Sequence, residues 1–201
     1  MSPRGVVWDI GNVIVRWDPR TLYSKIFPVQ EQRDWFLANV CTLAWHFAHD
    51  QGVTFADNRR ALLERFPDHR EAILDWERRF FEMFSGPIPE TEAAIDALAA
   101  RGVPMWGLTN MSHETDLGTF AMSPAFAHLR DIVVSGRVGM VKPDRGIFEL
   151  VCRCAGLAPG ELLFVDDSAR NVAAAADLGF HTHLFDAPEA LHPALEAHGL
   201  L

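Results

Sequence analysis

Apolar residues follow two different rhythms along this chain. Val6-Val7-Trp8-Asp9-Ile10 is an apolar run interrupted only by Asp9 and halted by Gly11-Asn12, the pattern of a buried strand ending in a turn. From Pro19 to Phe84 the apolar residues recur at helical spacing, with Trp, Phe, Leu and Arg abundant and no convincing strand. Thr54 is placed to cap a helix through Leu62, Leu63 and Phe66, and Pro67-Asp68 separates it from a helix over Ile73 to Phe84. Trp35, Phe36, Trp76, Phe80, Phe81 and Phe84 fall at spacings that predict the core of this stretch. Ser85-Gly86-Pro87-Ile88-Pro89 then predicts a linker.

Beyond that linker, helices and strands alternate. Glu90 to Arg101 predicts an Ala-rich helix closed by Gly102, followed by a strand at Val103 to Leu108 ending in Thr109-Asn110. A strand over Asp131 to Ser135 leads into a loop, Gly136 to Pro143, and a helix through Ile147, Phe148, Leu150 and Val151. Glu161 to Val165 is a strand ending in Asp166-Asp167, followed by an Ala-rich helix to Leu178-Gly179 and a last strand near His183 to Phe185. This order predicts an α/β fold, a doubly wound parallel sheet built from residues 1–15 and 88–201, with residues 16–87 inserted as a helical unit.

Composition narrows the partners. With 27 acidic and 18 basic residues in 201, the formal charge of −9 is the wrong sign for a protein that binds nucleic acid through phosphate contacts. Cys41, Cys152 and Cys154 make an odd count, and Cys152-Arg153-Cys154 sits in a helical pattern rather than a zinc knuckle, so a reducing compartment is expected. The apolar run before Asp9 is too short for a signal peptide, and no stretch could span a bilayer; a cytoplasmic protein with no membrane partner is expected. Sixteen of the 18 cations are Arg, which raises the question of why Lys25 and Lys142 kept the compact ammonium.

In open α/β sheets, ligands bind beyond the carboxyl ends of the strands. The polar residues predicted there are Asp9, Thr109-Asn110, Lys142 and Asp166-Asp167. Three carboxylates brought together repel one another unless a cation lies among them, and a hard dication with oxygen ligands, Mg²⁺ foremost, meets that need. Thr109, Asn110 and Lys142 would supply donors and positive charge to an anionic group opposite the metal, an arrangement suited to phosphoryl transfer.

Trp8-Asp9-Ile10-Gly11-Asn12-Val13, Leu108-Thr109-Asn110, Val141-Lys142-Pro143-Asp144 and Phe164-Val165-Asp166-Asp167-Ser168, continuing to Asn171, stand in order as four motifs. In them the chain resembles the haloacid dehalogenase-like hydrolase superfamily, and within it the small helical-cap phosphatases, α-D-glucose-1-phosphate phosphatases among them. The resemblance implies Asp9 as a nucleophile that forms an aspartyl-phosphate. It implies Mg²⁺ held by Asp9, Asp166, Asp167 and the Gly11 carbonyl, with phosphoryl oxygens bound by Thr109 and the Asn110 amide. Lys142 would neutralise both the nucleophile and the transferring group, and the helical insert would be a cap that selects a small phosphorylated metabolite, a sugar phosphate being one candidate.

One position departs from the family pattern. Most phosphatases of the superfamily carry a second Asp two residues after the nucleophile as general acid and base, and here Gly11 stands there. Such a group contributes typically about 10²- to 10⁴-fold, so its loss slows such an enzyme without silencing it. Haloacid dehalogenases also lack it, which makes a 2-haloacid dehalogenase the alternative, but they lack the paired carboxylates of Asp166-Asp167; a non-catalytic binding or regulatory protein on the same fold is a second alternative. Asp18 could replace the missing acid, and Trp45, His46 and Asp50 are substrate-contact candidates from the insert. Taken singly, Asp166-Asp167 could merely cap the next helix, and Asn171 is expected to orient the loop. His46 with His49, and His181 with His183, have metal-ligand spacing but no third ligand, and are expected to be ordinary histidines.

Overall fold

The computed structural model describes residues 2–201. The chain starts with β1 (Gly5–Trp8) and, after a turn, β2 (Val15–Trp17). Five helices follow: α1 (Pro19–Ile26), α2 (Gln30–Asn39), α3 (Leu43–Asp50), α4 (Phe55–Arg65) and α5 (Arg70–Arg78). Then come β3 (Phe84–Pro87), α6 (Pro89–Ala100), β4 (Met105–Thr109), α7 (Asp116–Phe120), β5 (Ile132–Val134), α8 (Ser135–Val138) and α9 (Arg145–Ala155). The chain closes with β6 (Leu162–Asp166), α10 (Ala169–Asp177), β7 (His181–Leu184) and α11 (Leu191–Ala197). None of the helices among the described residues is long and apolar enough to cross a membrane.

Five strands form one parallel sheet in the order β5-β4-β1-β6-β7, the predicted α/β architecture. Strand β1 is buried on both faces, which is why its sequence is continuously apolar rather than alternating. Val6 and Trp8 pack into a cluster with Ile95 and Leu98 of α6 and Leu191 and Leu195 of α11. Val7 points the other way, into a cluster with Ile147, Phe148 and Val151 of α9 and Ala175 of α10. With β4 on one side of β1 and β6 on the other, the chain changes direction at β1, so the residue just past its carboxyl end lies at the switch point where ligands bind.

A third apolar cluster belongs to the helical stretch, with Leu22, Tyr23, Phe36, Ile73, Trp76 and Phe80 at its centre, and the Tyr23 hydroxyl donates to the Ala72 carbonyl at 2.8 Å. Thr54 caps α4 as predicted, its hydroxyl oxygen accepting from the Asp57 N–H. Trp35 and Phe81 differ from expectation, at 46% and 45% exposure. Each adjoins a buried aromatic, Phe36 and Phe80, and neighbours along a helical turn point about 100° or more apart, which turns Trp35 and Phe81 outward here. Phe81 lies instead against Gly118 of α7, where a Cβ would collide with its ring.

Two further segments differ from the sequence expectation. Residues 85–87, the first part of the linker expected over Ser85–Pro89, belong to β3, paired antiparallel with β2 in a two-stranded ribbon. Strands of three and four residues carrying Gly86 and Pro87 offer no alternation to read. The helix expected to reach Phe84 stops at Arg78 and gives way to a 3₁₀ turn over Phe80–Met83, while the loop expected after β5 begins with the short helix α8.

Candidate active site

Asp9 directly follows β1, Thr109 ends β4, Asp166 ends β6, and Lys142 sits in the loop between α8 and α9. All four side chains are buried. The Lys142 ammonium lies between two carboxylates, with Nζ 2.8 Å from Asp9 Oδ1 and 2.7 Å from Asp166 Oδ2. Carboxylate oxygens of Asp9, Asp166 and Asp167 approach within 4.8 Å of one another, the only such acidic, His or Cys cluster among the described residues.

Each member is held by groups that the fold supplies. The Ile10 N–H donates to Asp9 Oδ1 at 2.7 Å. Asp166 Oδ1 accepts from the Ser168 N–H at 2.8 Å, and the Asn171 amide lies 3.1 Å from both Asp166 oxygens, an orienting role for Asn171 as expected. The Asn110 side chain does not face the cluster freely: its amide donates to the Lys142 carbonyl at 3.0 Å, and its oxygen accepts from the Lys142 N–H at 2.7 Å. Ser135 was not foreseen. Its Oγ accepts from the Met111 N–H at 2.9 Å, tying the loop after β4 to the end of β5.

Burial dominates the electrostatics. It pushes the Asp9 carboxyl up to about 8, with Lys142 pulling it down and Asp166 adding to the rise. Asp167 is raised for the same first reason and by Asp166, with Lys142 opposing. For Lys142 burial acts downward, yet Asp9 and Asp166 hold its ammonium above the ordinary lysine value. One buried ammonium pairs with two buried carboxylates, and the exposed Asp167 stands close by, an excess of negative charge that a dication would relieve. The donors are all hard oxygens, so the set fits Mg²⁺ in chemistry as well as in charge.

Beside this cluster lies a cavity of about 120 Å³, with Gly11, Thr109, Asn110, Met111 and Ser112 on one side and Trp17, His46, Asp50, Phe80 and Phe84 on the other. Of the three contact candidates, His46 and Asp50 line it, whereas the Trp45 indole N–H donates to the Asn58 carbonyl at 3.1 Å within the helical stretch. Asp18 is not among the residues lining this cavity. It caps α1, its carboxylate accepting from the Arg20 N–H at 2.8 Å, and lines two grooves that adjoin Asn12 and Trp17, one of them shared with Asp167.

The histidines of the two pairs make contacts within the fold. His49 turns Nδ1 to the Val53 carbonyl and Nε2 to Asn58, and the His181 ring meets the His198 ring. Cys152 and Cys154 both lie on α9, and all three cysteines are free.

A family model described as haloacid dehalogenase-like hydrolase matches residues 3–179. The chain belongs to the haloacid dehalogenase-like hydrolases. As such it is an enzyme, and its sheet places the acidic cluster where this family's model covers the chain. Among curated relatives of this hydrolase, phosphatase MT3486 of Mycobacterium tuberculosis (strain CDC 1551 / Oshkosh) is 25% identical over 92% of this chain and 88% of its own. Acyl-CoA dehydrogenase family member 10 of Mus musculus is 35% identical over 58% of this chain, which spans 11% of that protein's length. The (S)-2-haloacid dehalogenase H-109 of Pseudomonas putida is 32% identical over 47% of this chain and 42% of its own. In fold, the hydrolase is similar to a family enzyme of Bacteroides thetaiotaomicron solved in complex with magnesium and inorganic phosphate, at a TM-score of 0.66 and 19% identity over 90% of this chain and 93% of the other.

Proposed function

We propose that this hydrolase cleaves a small phosphate monoester, a sugar phosphate among the candidates, in two steps through an aspartyl-phosphate on Asp9. The observation that carries the reading is the clustering of Asp9, Asp166 and Asp167, with the ammonium of Lys142 between Asp9 and Asp166. In the first step a carboxylate oxygen of Asp9 forms a bond to phosphorus as the bond to the ester oxygen breaks, and the departing alkoxide takes up a proton. In the second, water attacks phosphorus, the acyl-phosphate bond breaks, and Asp9 returns as carboxylate with release of inorganic phosphate. Splitting one difficult displacement into two easier ones is the gain of nucleophilic catalysis.

Asp9, Asp166, Asp167 and the Gly11 carbonyl would hold Mg²⁺, which when bound supplies positive charge to the phosphoryl oxygens. Thr109 and the Asn110 backbone would bind those oxygens, and Lys142 neutralises charge at the reacting centre with a compact ammonium held between two carboxylates. Residues 16–87 act as the cap over this site and choose the substrate, as a closing element that excludes water. The phosphatase from Mycobacterium tuberculosis and the phosphate-bound Bacteroides enzyme support this reading. The dehalogenase relative keeps a second reading alive, but displacing halide from carbon makes no use of three carboxylates at the strand ends.

The test is release of phosphate and of halide from a panel of sugar phosphates, other phosphomonoesters and 2-haloacids, with Mg²⁺ or with EDTA, for the native enzyme and Asp9→Asn. Phosphate release that disappears with EDTA and with Asp9→Asn is expected. Halide release indifferent to EDTA would establish the dehalogenase instead.

A further inference from the structure

Expelling an alkoxide requires a proton, and the position two after Asp9 is Gly11, which has none to give. The space above Gly11 is empty: nothing lies within 4 Å of where its Cβ would stand. Gly11 lines the same cavity as Asp50, which stands at the last position of α3. Granting the phosphatase reading above, we propose that Asp50 is the acid and base that Gly11 cannot be, protonating the leaving oxygen in the first step and taking a proton from water in the second.

Three observations converge on this residue. Asp50 is 8% exposed and its Oδ1 has no hydrogen-bond partner, and a buried carboxyl oxygen without a partner is uncommon unless something else comes to meet it. Among the acidic side chains, Asp50 is the one that lines the cavity together with Gly11 and Thr109. Its approach is built into the backbone: after α3 the chain turns at Gly52, with φ of +96°, and a Cβ there would stand 3.0 Å from the Gly136 carbonyl oxygen. Gly136 is as constrained, since its Cβ would meet the Met111 carbonyl at 2.8 Å and the His49 carbonyl at 3.2 Å. Two glycines face to face thus let the end of α3 come down onto α8, which itself packs against the loop that follows β4.

The charge environment suits the role. Burial pushes the Asp50 carboxyl up to about 7, with Lys142 pulling the other way, a shift in the direction an acid and base working near neutral pH needs. The titratable groups beside it are Lys142, from the loop before α9, and His46 on its own helix, whose Nε2 is 3.9 Å from Asp50 Oδ1. Burial and His49 lower His46 to about 3, so it stays neutral and does not fix Asp50 as an ion pair. In the first step the Asp50 O–H bond breaks as the ester oxygen gains that proton. In the second the Asp50 carboxylate takes a proton from the attacking water, and the cycle closes.

The test compares native enzyme with Asp50→Asn and Asp50→Glu at pH 7 in Mg²⁺, on p-nitrophenyl phosphate and on ethyl phosphate. Nitrophenolate leaves unaided and ethoxide does not, so Asp50→Asn should lower kcat/KM on ethyl phosphate by roughly 10²- to 10⁴-fold and on p-nitrophenyl phosphate by less than about tenfold. On the aryl substrate the variant should release one equivalent of nitrophenol in a burst and then stall, because water attack has lost its base. Asp50→Glu should restore part of the ethyl phosphate activity. Equal losses on both substrates, or a change confined to KM, would make Asp50 a binding residue and overturn the proposal. Full activity in Asp50→Asn would overturn it while leaving the phosphatase reading intact, and no phosphate release by the native enzyme from these or from the wider panel would overturn both. In native enzyme, the pH profile of kcat/KM on ethyl phosphate should fall on the alkaline side near 7, a limb absent with the aryl substrate; coincident profiles would also overturn it.

Discussion

Asn110 and Lys142 are joined twice, the Asn110 side chain accepting from the Lys142 N–H at 2.7 Å and donating to its carbonyl at 3.0 Å. The strand end of β4 thereby fixes the backbone from which Lys142 reaches between Asp9 and Asp166. Asn110→Ala removes both bonds and leaves two peptide groups without that partner, so a loss of about 1–3 kcal/mol in stability is expected. If the clamp positions Nζ, kcat should fall more than KM rises. Urea unfolding and steady-state kinetics check the two parts, and an unchanged kcat would separate Asn110 from the reacting centre.

Lys142→Met should expose the cost of burying carboxylates without a cation. Removing one partner of a buried ionic cluster typically costs about 3–5 kcal/mol. Lys25, the other lysine, pairs with Glu82 at a half-exposed surface site, where such a bridge contributes about 0–1 kcal/mol. Urea unfolding in EDTA should therefore rank Lys142→Met far below Lys25→Met. Mg²⁺ should return part of the loss in Lys142→Met; identical curves with and without Mg²⁺ would count against a dication among these carboxylates.

Metal binding to the folded state alone adds stability as RT ln(1 + [Mg²⁺]/Kd), about 2.7 kcal/mol at a hundredfold excess over Kd. Asp166→Asn preserves the shape of the residue that accepts from Ser168 and faces Asn171, yet removes its charge. The native protein should gain Tm in Mg²⁺ and the variant should not. A variant that gains as much as the native protein would place the ion elsewhere.

The sheet and the acidic cluster were legible because both are written as local patterns: apolar runs that stop abruptly, each with a polar residue at its carboxyl end. Asp9, Thr109 and Asp166 needed only that reading, and the structure brings them to one edge of the sheet. Lys142 was found differently, as a lysine in a chain of arginines and within a motif. What escaped lies in contacts between segments far apart in sequence. The β2–β3 ribbon joins Val15–Trp17 to Phe84–Pro87, far along the chain, through strands too short to carry a period. Asn110 could be placed at a strand end, but nothing local said that its side chain would grip the Lys142 backbone. Asp50 could be placed in the insert, yet its descent into the cavity depends on Gly52 meeting Gly136, two unremarkable glycines until the chain is folded.

Gly136→Ala should test that meeting point. Its Cβ would press on the Met111 carbonyl at 2.8 Å and the His49 carbonyl at 3.2 Å, both backbone atoms that a flexible side chain cannot replace. Overpacking of this kind costs typically about 1–3 kcal/mol. Because the crowded atoms belong to the loop after β4 and, less tightly, to the end of α3, relief shifts the segments that line the cavity, and the variant should also lose activity, although position 136 touches none of the reacting groups. Loss of stability with kcat and KM unchanged would show that the seating of α3 does not matter to the chemistry.

His46 and Asp50 should leave opposite marks on the dependence of stability on pH. His46 titrates at about 3 in the folded chain against about 6.5 unfolded. Across that window the unfolded chain holds the extra proton, so this group makes stability rise with pH, by at most about 1.4 kcal/mol per pH unit. Asp50 titrates at about 7 folded against about 3.8 unfolded. The folded chain then holds the extra proton, and this group makes stability fall as pH rises between those values. From pH 3.8 to 6.5 the two slopes oppose each other in the native protein. His46→Phe keeps a ring to stack on Trp17, 5.1 Å away in the native packing, and removes the rising slope. Asp50→Asn removes the falling one. Urea unfolding at pH 4.5 and 6.5 should show that, relative to native, His46→Phe loses stability with rising pH and Asp50→Asn gains it. Shifts of the same sign in the two variants would mean that at least one of these groups is not held in the protonation state its burial imposes.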